Sequence, residues 1–284
     1  MSSRAIPGHI YALPRDASER QRLNEQHDYL LKLVYDGRLV YNKDVTSMLQ
    51  NGGRVLDSGT GTAVWLQELA RELPEAVELH GVDISPKNFP EEMERPSNMH
   101  LHTDSLTSLP AAWSGQFDLV HQRLLNWGVT KSEWPKVVAE IFRILKPGGS
   151  VQLIERDSFF TNSPEGSAMA RHDELLKKMY STLGFNYYCA AELPGMLEEA
   201  GFINVSAETK PNPIGKKWGD DGESGVRVYG GAYANMGPML VEEGLVGSAA
   251  EYGELLAELR KEWDEEGAQV AFHIICAERP VNAA

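Results

Sequence analysis

The residues best placed to do chemistry form a series of acids and glycines in the first half of the chain. Val55-Leu56-Asp57-Ser58-Gly59-Thr60-Gly61-Thr62-Ala63 is an apolar stretch that ends in an acid and enters a glycine turn. Glycines there let the backbone approach a ligand closely, at the edge of an open α/β sheet where ligands bind. A dinucleotide fingerprint would continue to Gly or Ala at position 64, but the residue is Val64. An acid beside the turn also disfavours a diphosphate and favours an ammonium group. Asp83 closes a second run, Gly81-Val82-Asp83-Ile84-Ser85, where a carboxylate can accept both hydroxyls of a ribose. Asp104, in Thr103-Asp104-Ser105-Leu106, follows a third, where a carboxylate can accept from an adenine amino group while Ile84 and Leu106 pack the ring. One such acid is an ordinary strand-end residue. Three at successive strand ends describe a nucleoside site.

These acids need a sheet whose strands end together. Short apolar runs at 55–57, 78–83, 99–101, 117–120 and 150–154 alternate with helical stretches, which predicts a parallel sheet. Thr130 and Glu133 are spaced as a capping box for a helix through Leu145, stopped by Pro147-Gly148-Gly149. Beyond Glu155 the pattern predicts helices over about 165–183 and 190–200 and a strand over 202–209. A capped helix follows from Ser248 and Glu251, with Tyr252, Leu255, Leu256, Leu259 and Trp263 on one face, and then a last strand at 269–277. Residues 211–231 are rich in Gly, Pro and charge and read as a surface loop, and the punctuation of 211–237 suits a mobile lid. The first fifty residues read as a helical cap. Asp16 and Glu19 are spaced as a capping pair, and Leu23, Leu30, Leu31 and Val34 recur at helical intervals.

Composition narrows the partners. The chain has 284 residues, 27 basic and 41 acidic, for a formal net charge of −14. That length suits one large α/β unit with insertions. An acidic surface without a Lys/Arg block repels phosphate backbones, so no nucleic-acid partner is expected. No run approaches the roughly 20 apolar residues that cross a bilayer, and the N-terminus lacks a signal peptide's apolar stretch. The expectation is a cytoplasmic protein with no membrane role. Cys189 and Cys276 make no disulfide framework, and no zinc spacing, Walker loop or nucleophile elbow is present.

Together the motifs resemble those of class I S-adenosylmethionine-dependent methyltransferases. Asp57-Ser58-Gly59-Thr60-Gly61 is similar to their first motif, Asp83 to the ribose acid, and Asp104 to the adenine contact. Leu145-Lys146-Pro147-Gly148-Gly149 is similar to the turn before their fifth strand. The resemblance covers roughly residues 51–155 and departs at Ala63, where many members carry a third glycine. More narrowly, Tyr11-Ala12-Leu13-Pro14 with Asp16 and Glu19, Gln26-His27, and Phe117-Asp118-Leu119-Val120-His121-Gln122-Arg123 resemble the fungal branch associated with secondary metabolism. That branch includes tailoring enzymes and a regulator of metabolite clusters.

The resemblance implies an α/β fold: a Rossmann-like, doubly wound, seven-stranded and mostly parallel sheet with the last strand antiparallel. It implies an N-terminal helical cap over 1–50 and a methyltransferase domain over 51–284, with lid insertions near 157–190 and 211–266. The implied cofactor is S-adenosyl-L-methionine, bound by Asp57, Gly59, Gly61, Asp83, Ile84, Asp104, Ser105 and Tyr11.

Methyl transfer from a sulfonium is an in-line displacement that depends on positioning, with a base for a hydroxyl acceptor. His121 is the first candidate base, against a role in hydrogen-bonding the methionine moiety or backbone. Gln122, Arg123 and Asn126 follow in the same loop as candidates for holding acceptor or cofactor. His172 reads as solvent-facing, with the acceptor pocket as the alternative. Trp127, Phe159, Phe160, Tyr187, Tyr188, Trp218, Tyr229 and Tyr233 are expected to line a pocket for an apolar or aromatic small molecule. The expected reaction is O-methylation of such an acceptor in secondary metabolism. The alternatives are a nuclear protein methyltransferase or regulatory subunit acting on metabolite genes, a non-catalytic binding module, and an NAD(P)-dependent oxidoreductase. A homo-oligomer stays open.

Overall fold

The computed structural model describes residues 16–281. Along the chain run α1 (Ala17–Leu33), α2 (Lys43–Leu49), β1 (Gly53–Ser58), α3 (Val64–Glu72), β2 (Val77–Asp83), β3 (Met99–Thr103), β4 (Phe117–Arg123) and α4 (Trp134–Ile144). They are followed by β5 (Leu145–Arg156), α5 (Ala168–Leu183), α6 (Cys189–Glu199), β6 (Ile203–Ile214), α7 (Gly219–Glu242), α8 (Ala249–Glu266) and β7 (Ala268–Glu278). The seven strands form one sheet in the order β3-β2-β1-β4-β5-β7-β6. The first five are parallel, and β7 pairs antiparallel with both β5 and β6.

Alternation along the strands sorts their side chains into two layers. Val55, Leu119 and Ile154 face one core with Trp65 and Leu66 of α3, while Leu56, Val120 and Leu153 face the other. On that second face α4 buries Trp134, Val137, Val138, Ile141 and Ile144, a helical stripe laid against the sheet. Each fully buried apolar side chain contributes about 1.5 to 3 kcal/mol. Helices therefore cover both faces, as a mostly parallel sheet requires. No helix among the described residues is long and apolar enough to cross a membrane.

Local start signals behave as their chemistry predicts. Asp16 accepts from the Glu19 backbone N–H at 2.9 Å, and Ser248 accepts from that of Glu251 at 3.1 Å. The Thr130/Glu133 pair forms differently: the Glu133 carboxylate accepts from both the backbone N–H and the hydroxyl of Thr130.

The largest correction concerns residues 211–237. The expected loop and mobile lid are instead the end of β6, running to Ile214, and most of α7. Pro211 and Pro213 are tolerated because β6 is the outermost strand and pairs only with β7. The glycines serve close packing. A Cβ on Gly225 would lie 2.3 Å from the Pro213 carbonyl oxygen, and one on Gly222 would lie 1.9 Å from that of Gly215. They let α7 pack tightly against the chain leaving β6, where the Tyr29 hydroxyl of α1 donates to the Pro213 carbonyl.

Candidate functional site

Because β1 to β5 are parallel, their carboxyl ends share one edge, and a cleft opens there with about 1570 Å³ of empty space, its open mouth included. Register decides what flanks its centre. Ser58, the last residue of β1, pairs with Val82 of β2 and Gln122 of β4, so Asp83 and Arg123 extend one residue further, on either side of the glycine turn. From the other direction, α1 contributes Arg22, Leu23 and Gln26 to the walls, and α7 contributes Val228, Tyr229 and Ala232.

Gly59, Gly61, Asp83, Ile84 and Ser105, all expected to hold cofactor, line this cleft, and Leu106 joins them. Gly59 has φ 74, a conformation that favours glycine, and a Cβ there would lie 2.6 Å from Leu125 Cδ2, so that side chain would have to shift. Asp83 Oδ2 accepts from the Gly61 backbone N–H at 3.0 Å and Oδ1 from that of Ser85 at 3.1 Å, which anchors the carboxylate beside the turn. Asn88 also reaches the wall, with its Oδ1 buried and without a hydrogen-bond partner among the described residues. Ala63 takes φ 57, a conformation that favours glycine. That explains physically why a third glycine suits this position.

Asp57, Asp104 and His121 are not among the cleft's lining residues, and Tyr11 lies outside the described residues. Asp57 is buried beneath the turn, where Oδ2 accepts from the Thr60 hydroxyl at 2.7 Å and Oδ1 lies 2.7 Å from His121 Nδ1. His121 is fully enclosed, stacked on Trp65 with ring centroids 3.9 Å apart, and its Nε2 lies 2.7 Å from the Tyr35 hydroxyl. Burial lowers its pKa against the opposing pull of Asp57, keeping the ring neutral at physiological pH. The neutral ring then donates from Nδ1 to Asp57 and accepts the Tyr35 proton at Nε2. His121 is thus a buried fastener beneath the glycine turn.

Across the cleft, at the ends of β4 and β5, stand residues that sequence reasoning passed over. Glu155 is 1% exposed and lines the wall; its Oε1 accepts from the Leu125 backbone N–H at 2.6 Å, and its Oε2 is buried with no hydrogen-bond partner among the described residues. Burial pushes this carboxyl up to about 8. Arg156 beside it makes no ion pair among the described residues; its guanidinium sits 5.1 Å from the Trp127 ring and 5.6 Å from that of Tyr229. The Tyr180 hydroxyl lies 2.6 Å from Trp127 Nε1 and 2.7 Å from Ser158 Oγ. Leu124, also in the wall, holds φ 54. Non-glycine residues pay a conformational penalty there, and such strain clusters at functional sites. One signal could have found Glu155: it is an acid at the carboxyl end of a parallel strand, like the three aspartates.

The aromatic expectation divides. Trp127 and Tyr229 line the cleft, joined by Tyr180, while Phe160 and Tyr233 pack behind them and Tyr188 and Trp218 are exposed. His172, expected to face solvent, is fully buried 4.2 Å from the Tyr233 ring, and burial lowers its pKa to about 3. Its helix α5 turns that face under α8 because Met169, Leu176 and Met179 share it. Among the described residues no group of three or more His, Cys, Asp or Glu is arranged to hold a metal.

Comparison with known proteins accords with this geometry. A methyltransferase-domain family model matches residues 55–149, the stretch containing the glycine turn, Asp83 and β4. N-methyltransferase sirN of Leptosphaeria maculans is 32% identical, the alignment covering 99% of this chain and 98% of that protein. N-methyltransferase verN of Clonostachys rogersoniana is 30% identical over 95% of this chain and 93% of its own. Among solved structures, the [4+2]-cyclase SpnF has the same fold, with a TM-score of 0.52 at 18% identity, covering 99% of this chain and 90% of its own.

Proposed function

Since the chain belongs to the class I S-adenosylmethionine-dependent methyltransferases, in their fungal secondary-metabolism branch, we propose that it methylates a nitrogen of a small aromatic or apolar acceptor, with Glu155 receiving the proton. The observation carrying this reading is the buried, unpartnered Glu155 Oε2 on an aromatic wall of the cleft. A buried acceptor atom calls for a donor, and an N–H on the acceptor supplies one. The names of two relatives that match almost the whole chain favour nitrogen over the oxygen acceptor expected from sequence.

The described residues fit the cofactor. Asp83, held beside the turn by the Gly61 and Ser85 backbone N–H groups, would accept from the ribose hydroxyls. Ile84 and Leu106 enclose the adenine, Ser105 meets its edge, and Asn88 Oδ1 offers the amino-group acceptor that Asp104 was expected to be. Gly59 and Gly61 bring bare backbone against the methionyl portion. When bound, S-adenosylmethionine supplies an electrophilic methyl carbon on a sulfonium. Trp127, Tyr180 and Tyr229 orient the acceptor and exclude water. Transfer of that methyl to the acceptor nitrogen would leave a proton to be removed from nitrogen, and Glu155 would receive it.

Methyl-labelled cofactor offered with matched acceptors that differ only in N–H against O–H tests the reading. Label on the nitrogen compounds is expected, and label confined to the oxygen compounds overturns the nitrogen assignment. Asp83→Ala should weaken S-adenosylhomocysteine binding by about 1 to 3 kcal/mol, the loss of hydrogen bonds to a charged group. Calorimetry checks this, and unchanged affinity would remove the ribose from this corner of the cleft.

A further inference from the structure

Arg156 is a cation in the cleft wall that makes no ion pair among the described residues. It ends β5, and the sheet order sets that strand three positions from β2, roughly 14 Å along the carboxyl edge from Asp83. Rings surround it. The guanidinium carbon sits 5.1, 5.6 and 6.0 Å from the ring centroids of Trp127, Tyr229 and Tyr233. Aromatic faces attract a cation but carry no net charge.

The neighbouring carboxyls are turned elsewhere. Glu155 accepts from the Leu125 backbone N–H, and both oxygens of Asp173 lie 3.3 Å from the Phe160 backbone nitrogen. Arg156 Nη1 donates to the Asp157 carbonyl at 2.9 Å, and the Tyr233 hydroxyl is a further hydrogen-bond partner. Burial raises the pKa of Tyr233, so that neighbour stays neutral. The positive charge is felt as far as His172, where it adds to burial in lowering the imidazole pKa. A guanidinium has five N–H donors in a rigid fork, and a cation withdrawn from water without a counter-ion is costly.

Consecutive strand residues point to opposite faces of a sheet, so Glu155 and Arg156, both in the cleft wall, meet an acceptor from two sides of the end of β5. We propose that Arg156 determines acceptor specificity by binding a carboxylate, so that the substrate class is a small aromatic or apolar acid that also carries the reactive N–H. This deepens the reading above and rests on its placement of the acceptor at the ends of β4 and β5. The carboxylate supplies the missing charge and matches the guanidinium fork in two-point geometry. Trp127 and Tyr229 flank the pair and keep out the water that would weaken it. Held there by its acid, the acceptor turns its N–H side to Glu155.

The test uses the full-length protein saturated with S-adenosylhomocysteine, so that the cofactor's own contacts are occupied. Two matched series serve as probes: anthranilate, 2-aminobenzamide and aniline, and indole-2-carboxylate, indole-2-carboxamide and indole. Calorimetry should show the acid of at least one series binding about 10- to 100-fold more tightly than its neutral members, the loss of a charge-assisted bond. Arg156→Met should erase that preference, and Arg156→Lys should restore part of it, since it keeps the charge without the fork. S-adenosylhomocysteine affinity should stay within about threefold in both variants, because a single neutral contact at most is disturbed there. The comparison of acid with amide in the unmodified protein does not depend on how the variants fold. Acids that bind no more tightly than their amides, or a preference that persists in Arg156→Met, overturn the assignment. Failure of every probe to bind overturns the placement of the acceptor, and the assignment with it. An acid that binds through Arg156 yet takes methyl label only on oxygen upholds the assignment and overturns the nitrogen reading alone.

Discussion

Glu155→Gln should slow turnover by about 100- to 10000-fold at saturating cofactor and acceptor, the usual range for losing a positioned proton acceptor. The amide keeps the shape of the side chain and its bond from the Leu125 N–H, so S-adenosylhomocysteine affinity should hardly change. The pH profile separates this from a packing defect. With the carboxyl at about 8, the rate of the unmodified protein should rise with pH until that group is ionised, and the limb should vanish in the variant. Stability carries an opposite signature. A carboxyl raised from 4.5 to about 8 on folding binds more protons in the folded chain across that window, so it contributes stability at low pH that is lost as pH climbs through it. Glu155→Gln should therefore narrow that decline, and thermal melts at pH 6 and 9 would read it. Turnover within threefold of the parent removes Glu155 from the chemistry.

His121→Leu should destabilise the fold by about 3 to 5 kcal/mol while leaving the chemical step nearly intact. The substitution leaves Asp57 Oδ1 and the Tyr35 hydroxyl without their partner in a closed interior, and buried groups stranded in this way cost the most. Stacking on Trp65 is lost as well. Loosening Asp57 frees Thr60 and the glycine turn above it, so cofactor binding should weaken. Because His121 is not among the cleft's lining residues, kcat at saturating cofactor should fall by less than tenfold. Denaturant melts and steady-state kinetics decide: a hundredfold loss of kcat with unchanged stability would restore His121 as the base. The lowered His121 pKa adds a pH dependence. The unfolded imidazole takes up a proton below its ordinary pKa of 6.5 more readily than the folded one, so this residue's contribution is present above that value and lost as pH falls below it.

Glu155 and His121 show where sequence reasoning stops. Both lie near the carboxyl ends of parallel strands, and both are residue types that do acid–base chemistry. The imidazole drew attention because its ordinary pKa is near neutral, and the carboxyl did not because its ordinary pKa is low. Enclosure reverses the choice. It lowers the imidazole and seals it beneath the turn, and it raises a carboxyl that remains in the wall of the cleft. Arg22 stayed hidden for a different reason: nothing in a helix over 17–33 says which face will meet a sheet edge formed later in the chain.

Sequence reasoning recovers the parallel sheet, the glycine turn and the acid at the end of β2. These are local matters of alternation, backbone freedom and strand termini, each encoded within a few residues. It misjudged 211–237, because glycine and proline carry the same local signal in a loop and in a helix packed tightly against an edge strand. Tertiary structure alone decided which strand-end residues face the cleft, which lie sealed beneath it, and which charges meet a partner. Those outcomes depend on register and on burial contributed by distant segments, and burial sets both the accessibility and the protonation state on which the chemistry depends.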